Sequence, residues 1–397
     1  MKIGKKTQGI KPSVTLALAA KAQVLRAEGV DLVNFTAGEP DFDTPQRIKD
    51  AAVEALKKGM TKYTDVRGIE PLRQAIVEKY RRDYGLEYTK DEVLVSCGGK
   101  HALYNILQAL IDDGDEVVIP SPYWVSYSDI ALLAGGVPKL VETSEANGFR
   151  ITPADLEQAL TPKTRMFILN SPSNPTGAAY TRDELEALSQ VLERHDCVIL
   201  SDDIYEKIVY DGFQFHQIAA LNPKLRDRTV ITNAVSKTYA MTGWRIGYAL
   251  GPKEAITAAS KIQSQSTSNP TSIAQAAALE AIRGPQDEVP VMVGEFKKRR
   301  DAIVARLQAI RGVTCFKPQG AFYVFPDVRG LFGKKYKDKP LATPADVVEY
   351  FLEAGRVLAV PGEDFGSKHN VRISYATSMQ EIEKGCARIA EAVVRLG

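Results

Sequence analysis

The chain has 397 residues, 44% of them apolar and 25% charged, which predicts a globular protein with two domains because one compact core rarely extends that far. Its formal net charge is +2, from 51 basic and 49 acidic residues, so we expect neither a nucleic acid nor an anionic membrane surface as partner. Four scattered cysteines and four scattered histidines predict no metal site and a reducing, cytoplasmic setting, and no apolar run approaches the roughly 20 residues of a membrane helix.

The N-terminal two thirds of the chain begin with a helical pattern at 14–28 and a Gly-rich extended segment at 35–41, and a second helix follows Pro45. From about residue 91, short apolar strands alternate with amphipathic helices. The predicted strands are 92–96, 116–119, 165–169, 197–201, 229–232 and 245–250. The predicted helices between them include 101–111, 123–133, 182–194 and 252–264. This alternation predicts an α/β fold with a mostly parallel sheet covered by helices on both faces.

The last third of the sequence has a different pattern. A long charged helix near 291–310 precedes predicted strands at 313–316 and 321–325, and a polar loop at 330–341, a helix at 345–354 and a terminal helix at 380–396 follow. This order predicts a smaller α+β domain. We therefore expect an N-terminal arm with part of the small domain at 1–45, a large domain at 46–290 and a small C-terminal domain at 291–397.

Unusual polar clusters follow four of the predicted strands. They are Gly98-Gly99-Lys100, the Asn-Pro-rich loop 170–177, Asp202-Asp203-Ile204-Tyr205 and Ser236-Lys237. Ligands of open α/β sheets bind beyond the carboxyl ends of the strands. The four loops are therefore predicted to meet in one crevice.

Lys237 is the strongest candidate for a reactive group. A lone lysine in a loop is usually a solvated surface residue, but this one stands among small and apolar residues, beside Ser236 and eight positions before Arg245. A lysine that is partly desolvated near other cations has a lowered pKa and can attack a carbonyl carbon. Serine and arginine close by are suitable ligands for a phosphate group.

The pattern Ser-Lys-x₅-Gly-x-Arg-x-Gly at 236–247 resembles the fold-type I, class I aminotransferases, in particular their bacterial aspartate and aspartate–prephenate branch. The resemblance extends from about residue 11 to residue 377. It implies the pyridoxal-phosphate-dependent transferase fold and a homodimer with shared active sites. It also implies that Lys237 holds pyridoxal 5'-phosphate as an imine and later moves the substrate proton, while Ser236 and Arg245 bind the phosphate.

Asp202 stands at the end of an apolar strand, where a carboxylate is costly unless it is paired. A protonated pyridine nitrogen is a suitable partner, and such pairing makes the ring an electron sink. The plainer alternative is an aspartate that caps a helix or ends a sheet strand. The resemblance implies that Tyr205 and Asn174 hydrogen-bond the 3'-oxygen of the cofactor, although Asn174 is also a common turn residue.

Further residues are assigned to the cofactor. Gly98 and Gly99 open a helix whose N-terminal N–H groups suit a phosphate. The resemblance implies that Trp124 stacks on the pyridine ring, with a core tryptophan as the alternative. It also implies that Tyr63 crosses the dimer interface to the phosphate of the neighbouring subunit.

Substrate recognition is predicted from a strand near the C-terminus. Arg372 and Ser374 alternate with Ile373, and a guanidinium fork matches an α-carboxylate. The resemblance gives this role to Arg372, with help from the backbone N–H of Gly38.

The side-chain pocket decides which amino acid reacts. Ser264 stands where one branch of the family has an arginine from the neighbouring subunit, so the chain departs from that pattern. Lys100 occupies the place of a lysine that serves acidic side chains in the bacterial branch. Lys11 matches a basic residue linked to prephenate, with an exposed helix-start lysine as the alternative. Ala234 replaces a serine that binds phosphate in some relatives.

These features predict transfer of the amino group of L-aspartate to 2-oxoglutarate, giving oxaloacetate and L-glutamate, with prephenate as a further candidate substrate. An aminotransferase for aromatic amino acids and a pyridoxal-phosphate-dependent β-lyase are the alternatives with the same cofactor. A cofactor-sensing transcription regulator is disfavoured because such proteins carry a separate basic DNA-binding domain, whereas the charge of this chain is balanced.

Overall fold

The structure, a computed structural model, describes residues 3–4, 9–10 and 14–396. Its α-helices are α1 (Val14–Ala27), α2 (Gln46–Lys57), α3 (Glu70–Tyr84), α4 (Gly99–Leu110), α5 (Ser126–Ala134), α6 (Pro153–Ala159), α7 (Arg182–Glu193), α8 (Ile218–Leu221), α9 (Val235–Thr238), α10 (Lys253–Ser266), α11 (Ser272–Arg283), α12 (Glu288–Gln308), α13 (Pro344–Gly355) and α14 (Met379–Arg395).

Its strands are mostly short. They are β1 (Val33–Asn34), β2 (Val93–Ser96), β3 (Glu116–Ser121), β4 (Val137–Glu142), β5 (Thr164–Asn170), β6 (Val198–Asp202), β7 (Thr229–Ala234), β8 (Gly247–Leu250), β9 (Tyr323–Val324), β10 (Lys335–Tyr336), β11 (Lys339–Pro340), β12 (Val357–Leu358), β13 (Val360–Pro361) and β14 (Val371–Ser374).

The central sheet has the strand order β2-β8-β7-β6-β5-β3-β4. β8 runs antiparallel to both of its neighbours, and the other pairs are parallel. The register places Asn170 of β5 opposite Asp202 of β6 and Asp202 opposite Thr232 of β7. The predicted α/β class, with a mostly parallel sheet, is confirmed.

Alternation along the strands divides the apolar side chains between the two faces of the sheet. In β5, Met166 and Ile168 pack with α4, α5 and α10, whereas Phe167 and Leu169 pack with α6 and α7 on the opposite face. Each fully buried side chain of this size contributes roughly 1.5–3 kcal/mol. Both faces of the strand are buried, so the run is uniformly apolar, and the sheet is held rigidly beneath the loops at its carboxyl edge.

A second core joins the two ends of the chain. β9, β13 and β14 form an antiparallel sheet, and β1 pairs in parallel with β12. Val33 and Phe35 are packed in the same buried cluster as Phe296, Phe322 and Ile373. The division into segments 1–45, 46–290 and 291–397 stays a prediction.

Several elements differ from the sequence prediction. The pattern does not single out α3, α11 or β4; β4 is an edge strand whose side chains are all at least partly exposed, so its alternation is weak. Residues 313–316 form no strand but one isolated bridge, between Thr314 and Asp327. The polar loop 330–341 contains the short hairpin β10–β11.

Two kinds of feature are absent from the residues that the structure describes. None of the helices there is long and apolar enough to cross a membrane. Within the same residues, no group of three or more His, Cys, Asp or Glu could hold a metal ion. The four cysteines are free.

Candidate active site

A cavity of about 260 Å³ lies at the carboxyl edge of the central sheet. The four polar loops that follow β2, β5, β6 and β7 all contribute to its lining, as predicted. The predicted site residues that line it are Gly38, Gly99, Lys100, Trp124, Asn174, Asp202, Tyr205, Lys237, Arg245 and Arg372. The fold therefore brings together residues that are more than 300 positions apart in the sequence, such as Gly38 and Arg372.

Lys237 lies in α9, a single helical turn directly after β7. Its Nζ donates a hydrogen bond to the carbonyl oxygen of Gly38. Burial, assisted by nearby Arg245 and Arg372 and opposed by Glu39 and Asp202, lowers the pKa of the amine to about 8. A useful fraction of the amine is therefore unprotonated near neutral pH, as a nucleophile requires.

Asp202 is the buried last residue of β6. Its Oδ2 accepts a hydrogen bond from the Tyr127 hydroxyl at 2.6 Å, and its Oδ1 accepts one from the Ile204 N–H at 3.3 Å. Burial raises the pKa of the carboxyl to about 6, although both hydrogen bonds and Lys237 lower it. The group is mostly ionised at pH 7, and a cationic ring nitrogen is the kind of partner that would offset its desolvation.

Arg372, in β14, is a buried cation that contacts the N-terminal segment at Thr36 and the loop after β5 at Asn174. Its guanidinium donates to Asn174 Oδ1 at 3.1 Å and to the carbonyl oxygen of Thr36 at 3.0 Å. Its Nε is buried without a hydrogen-bond partner, and the described residues offer it no carboxylate within 4 Å. Burial lowers its pKa. A buried guanidinium held by neutral acceptors is suited to receive the carboxylate of a ligand.

Aromatic side chains complete this wall of the cavity. The hydroxyls of Tyr205 and Tyr323 are 2.9 Å apart, and burial raises the pKa of both. The guanidinium of Arg372 lies 4.7 Å from the centre of the Tyr323 ring. Both tyrosines therefore remain neutral at physiological pH, and the hydroxyl that accepts from the other can donate its own hydrogen bond into the cavity.

The opposite end of the cavity is suited to an anion. Gly98 is the N-cap of α4 with φ 91°, and a Cβ there would collide with the Arg245 guanidinium. That guanidinium donates to the Thr242 carbonyl oxygen at 2.9 Å. The first turn of α4 presents unpaired backbone N–H groups beside it. Lys100 Nζ lies 4.9 Å from the centre of the Trp124 ring.

Some predicted residues lie outside this cavity. Gly98 lies against Arg245, which lines the cavity. Ser236 lines an adjoining cavity together with Lys237 and Arg245. Tyr63 is 90% exposed and does not line the cavity. Lys11 lies outside the described residues. The roles assigned to all of these residues stay predictions.

The sequence interpretation missed three residues that brace the site. Tyr127 holds Asp202, Tyr323 holds Tyr205, and Asn170 Nδ2 donates to the Asp202 carbonyl oxygen at 2.9 Å. A signal was present for two of them. Tyr127 follows Trp124 at helical spacing, and Tyr323 is a polar-tipped residue in an otherwise apolar strand. Asn170 carried no signal beyond its place in the loop.

Comparisons with known proteins agree with the sequence motif. The family model described as aminotransferase class I and II matches residues 30–389. The chain is 50% identical over 392 residues to an aspartate aminotransferase of Geobacillus stearothermophilus, covering 98% of each chain. It is 53% identical over 382 residues to an aspartate/prephenate aminotransferase of Cereibacter sphaeroides, covering 96% of each.

Solved structures give the same result. The aspartate aminotransferase from Rhizobium meliloti has a TM-score of 0.96 at 47% identity, over 100% of this chain and 99% of that one. The aspartate aminotransferase from Thermus thermophilus with maleate has a TM-score of 0.93 at 43% identity, over 99% and 100% of the two chains. The resemblance drawn from the Ser-Lys motif is confirmed, and the chain belongs to the class I and II aminotransferases, a family of pyridoxal-phosphate-dependent enzymes.

Proposed function

We propose that this aminotransferase transfers the amino group of L-aspartate to 2-oxoglutarate, giving oxaloacetate and L-glutamate, with pyridoxal 5'-phosphate held on Lys237. The observation that carries the proposal is one cavity that contains a buried amine with a lowered pKa, a buried carboxylate and a guanidinium without an acidic partner. The names of the relatives support aspartate as the amino donor.

The side chains present fit pyridoxal phosphate. Lys237 offers the amine for the aldehyde carbon, and Asp202 offers a negative charge for the ring nitrogen. The first turn of α4, with Gly98, Gly99 and Arg245, offers N–H donors and positive charge for the phosphate. Trp124 would stack on the ring, and Ser236 would add a phosphate ligand.

Each residue of the site would then have its own role in the reaction. Bound there, pyridoxal phosphate supplies an electron sink that stabilises negative charge at the substrate Cα. Arg372 binds the α-carboxylate, assisted by the Gly38 N–H, and so orients the Cα–H bond. Lys237 Nζ would take the proton from the substrate Cα and hold it for return to the reacting molecule. Asp202 would keep the ring nitrogen of the bound cofactor protonated, and Tyr205 and Asn174 would donate hydrogen bonds to its 3'-oxygen.

Lys100 is proposed to select acidic side chains. It lines the cavity, and burial together with Arg245 lowers its pKa. Ser264, at the position of the arginine used by another branch, is exposed, and its hydroxyl donates to the Lys261 carbonyl oxygen of its own helix. Lys100→Ala should therefore reduce kcat/KM for aspartate and glutamate about 10- to 100-fold and leave the values for alanine and phenylalanine unchanged. An equal loss for all four amino acids would show that Lys100 does not bind the substrate side chain.

We also propose a homodimer in which Tyr63 reaches the phosphate bound by the partner. Its 90% exposure leaves the side chain accessible to a second chain. Lys237→Ala and Tyr63→Ala should each be nearly inactive, and mixing them after partial unfolding should restore up to about a quarter of the wild-type activity, because some hybrid dimers regain one complete site. Failure of the mixture to regain activity would refute the shared site.

The function itself is tested by rapid mixing. The cofactor-loaded protein should lose its visible absorbance band with aspartate and recover it with 2-oxoglutarate, and borohydride reduction should label Lys237. Release of ammonia and pyruvate from an amino acid that carries a leaving group on Cβ would indicate a β-lyase, and preference for phenylalanine or tyrosine would indicate an aromatic aminotransferase. Prephenate belongs in the same panel because one relative is named for it.

A further inference from the structure

A buried polar cluster lies behind the candidate active site and takes no part in the mechanism above. Its centre is Glu206, which is 3% exposed, and its other members are Lys79, Tyr84 and Asn233. We call these four residues the Glu206 cluster. Such a group of buried polar side chains is costly unless each member is satisfied, so its place in the fold needs an explanation.

The Glu206 carboxylate connects three parts of the structure, which are its own turn after β6, helix α3 and strand β7. Oε1 pairs with Lys79 Nζ at 2.5 Å and accepts from Asn233 Nδ2 at 2.9 Å, while Oε2 accepts from the Tyr84 hydroxyl. Lys79 and Tyr84 belong to α3, and Asn233 belongs to β7. The ammonium of Lys79 also lies 4.4 Å from the centre of the Tyr80 ring.

Glu206 and Asn233 both lie close in sequence to residues of the candidate site. Glu206 follows Tyr205 directly, and its backbone N–H donates to the Asp203 carbonyl oxygen at 2.9 Å, within the turn that begins at Asp202. Asn233 precedes Lys237 by four residues on the strand that leads into α9. The cluster therefore fixes the turn 202–206 against both the strand that delivers Lys237 and a covering helix.

We propose that Glu206 is a positioning residue for the aminotransferase reaction, which holds Asp202 and Tyr205 at the cofactor by tying their turn to α3 and β7. This inference rests on the proposed function. It requires that the length of the Glu206 side chain matter more than its charge, because two hydrogen bonds and one ion pair of the carboxylate set the position of the turn. Displacement of catalytic groups by about 1 Å can cost about 100-fold in rate.

Two variants separate length from charge. Glu206→Asp keeps the charge but is one methylene shorter, so the turn moves or the bonds break. The double variant Lys79→Met with Glu206→Gln keeps the length and removes both charges together, and Asp83 retains ion pairs with Lys207 at 2.8 Å and Arg82 at 2.8 Å. Glu78→Asp is the matched control, since the Glu78 side chain on the same helix is 42% exposed and pairs with Arg283.

The readouts are kcat, KM for aspartate, and the visible circular dichroism of the bound cofactor, which reports its orientation without turnover. Glu206→Asp should lower kcat about 10- to 100-fold with KM within about threefold, and should weaken the dichroic band. The double variant should stay within about threefold of the wild type, as should the control.

An unchanged kcat and dichroic band in folded Glu206→Asp would overturn the inference, because a residue that only stabilises the fold lowers the melting temperature alone. An equal loss in the double variant would also overturn it, since side-chain length would not be the determinant. Absence of borohydride label at Lys237 in the wild type would instead refute the proposed function, so the two failures are distinguishable.

Discussion

Asp202→Asn should stabilise the cofactor-free protein while it inactivates the loaded enzyme. Burial raises the pKa of Asp202 from 3.8 to about 6, so the folded state binds a proton more tightly than the unfolded state. The difference of about 2 pKa units corresponds to about 3 kcal/mol at pH 7, at 1.36 kcal/mol per unit. An amide avoids this cost, because its oxygen can accept from the Ile204 N–H while its Nδ2 donates to the Tyr127 hydroxyl oxygen. The shifted pKa already includes the hydrogen bonds to the charged carboxylate, so we expect a gain of up to about 3 kcal/mol at pH 7.

The sign of the pH dependence makes this prediction specific. A carboxyl whose folded pKa is raised destabilises the fold most above the folded value, and the cost disappears below the unfolded value. The advantage of the Asn variant should therefore shrink from about 3 kcal/mol at pH 7 to about half of that value at pH 5.

The assay is urea unfolding of the cofactor-free proteins at equal concentration, from pH 5 to pH 8, because dimerisation would make stability depend on concentration. Asp227→Asn is the control, since the Asp227 side chain is 85% exposed. Loaded Asp202→Asn should lose at least about 100-fold in kcat. A stability difference of zero at pH 7, or one that does not shrink toward pH 5, would show that the carboxylate is not held at a cost and would refute the reasoning.

Three further predictions concern the other groups of the cavity. Arg372→Lys should lower kcat/KM about 10- to 100-fold for every amino donor, because a point charge replaces the fork; a loss for aspartate alone would contradict it. The rate at which cofactor-free protein takes up pyridoxal phosphate covalently should rise with pH and level off above about pH 8, as Lys237 loses its proton; a flat profile between pH 6 and 8 would refute the lowered pKa. Gly98→Ala should weaken cofactor binding at least about tenfold in equilibrium dialysis, because the new Cβ would collide with Arg245 and because φ is 91° at this position. An unchanged affinity would show that Gly98 has no role in phosphate binding.

The sequence predicted the reactive loops better than it predicted the elements around them. Lys237, Asp202 and Asn174 follow strands with clear apolar runs, so their meeting at one sheet edge follows from the parallel topology. β4 was not predicted because apolar and polar side chains need not alternate regularly along an edge strand. Tyr127 was missed because its helical spacing from Trp124 does not show that its hydroxyl meets Asp202, 75 positions later. Contacts of that kind are set by packing, which periodicity does not encode.

The guanidinium of Arg372 donates to Thr36, which lies 336 positions earlier in the chain. The proposed carboxylate receptor is thus assembled only when two segments that are 336 positions apart in the sequence have met. During synthesis, β14 must leave the ribosome before the protein can bind an α-carboxylate in the proposed way. A shortened product that stops before Arg372 would therefore contain Lys237 and Asp202 but would lack the proposed receptor.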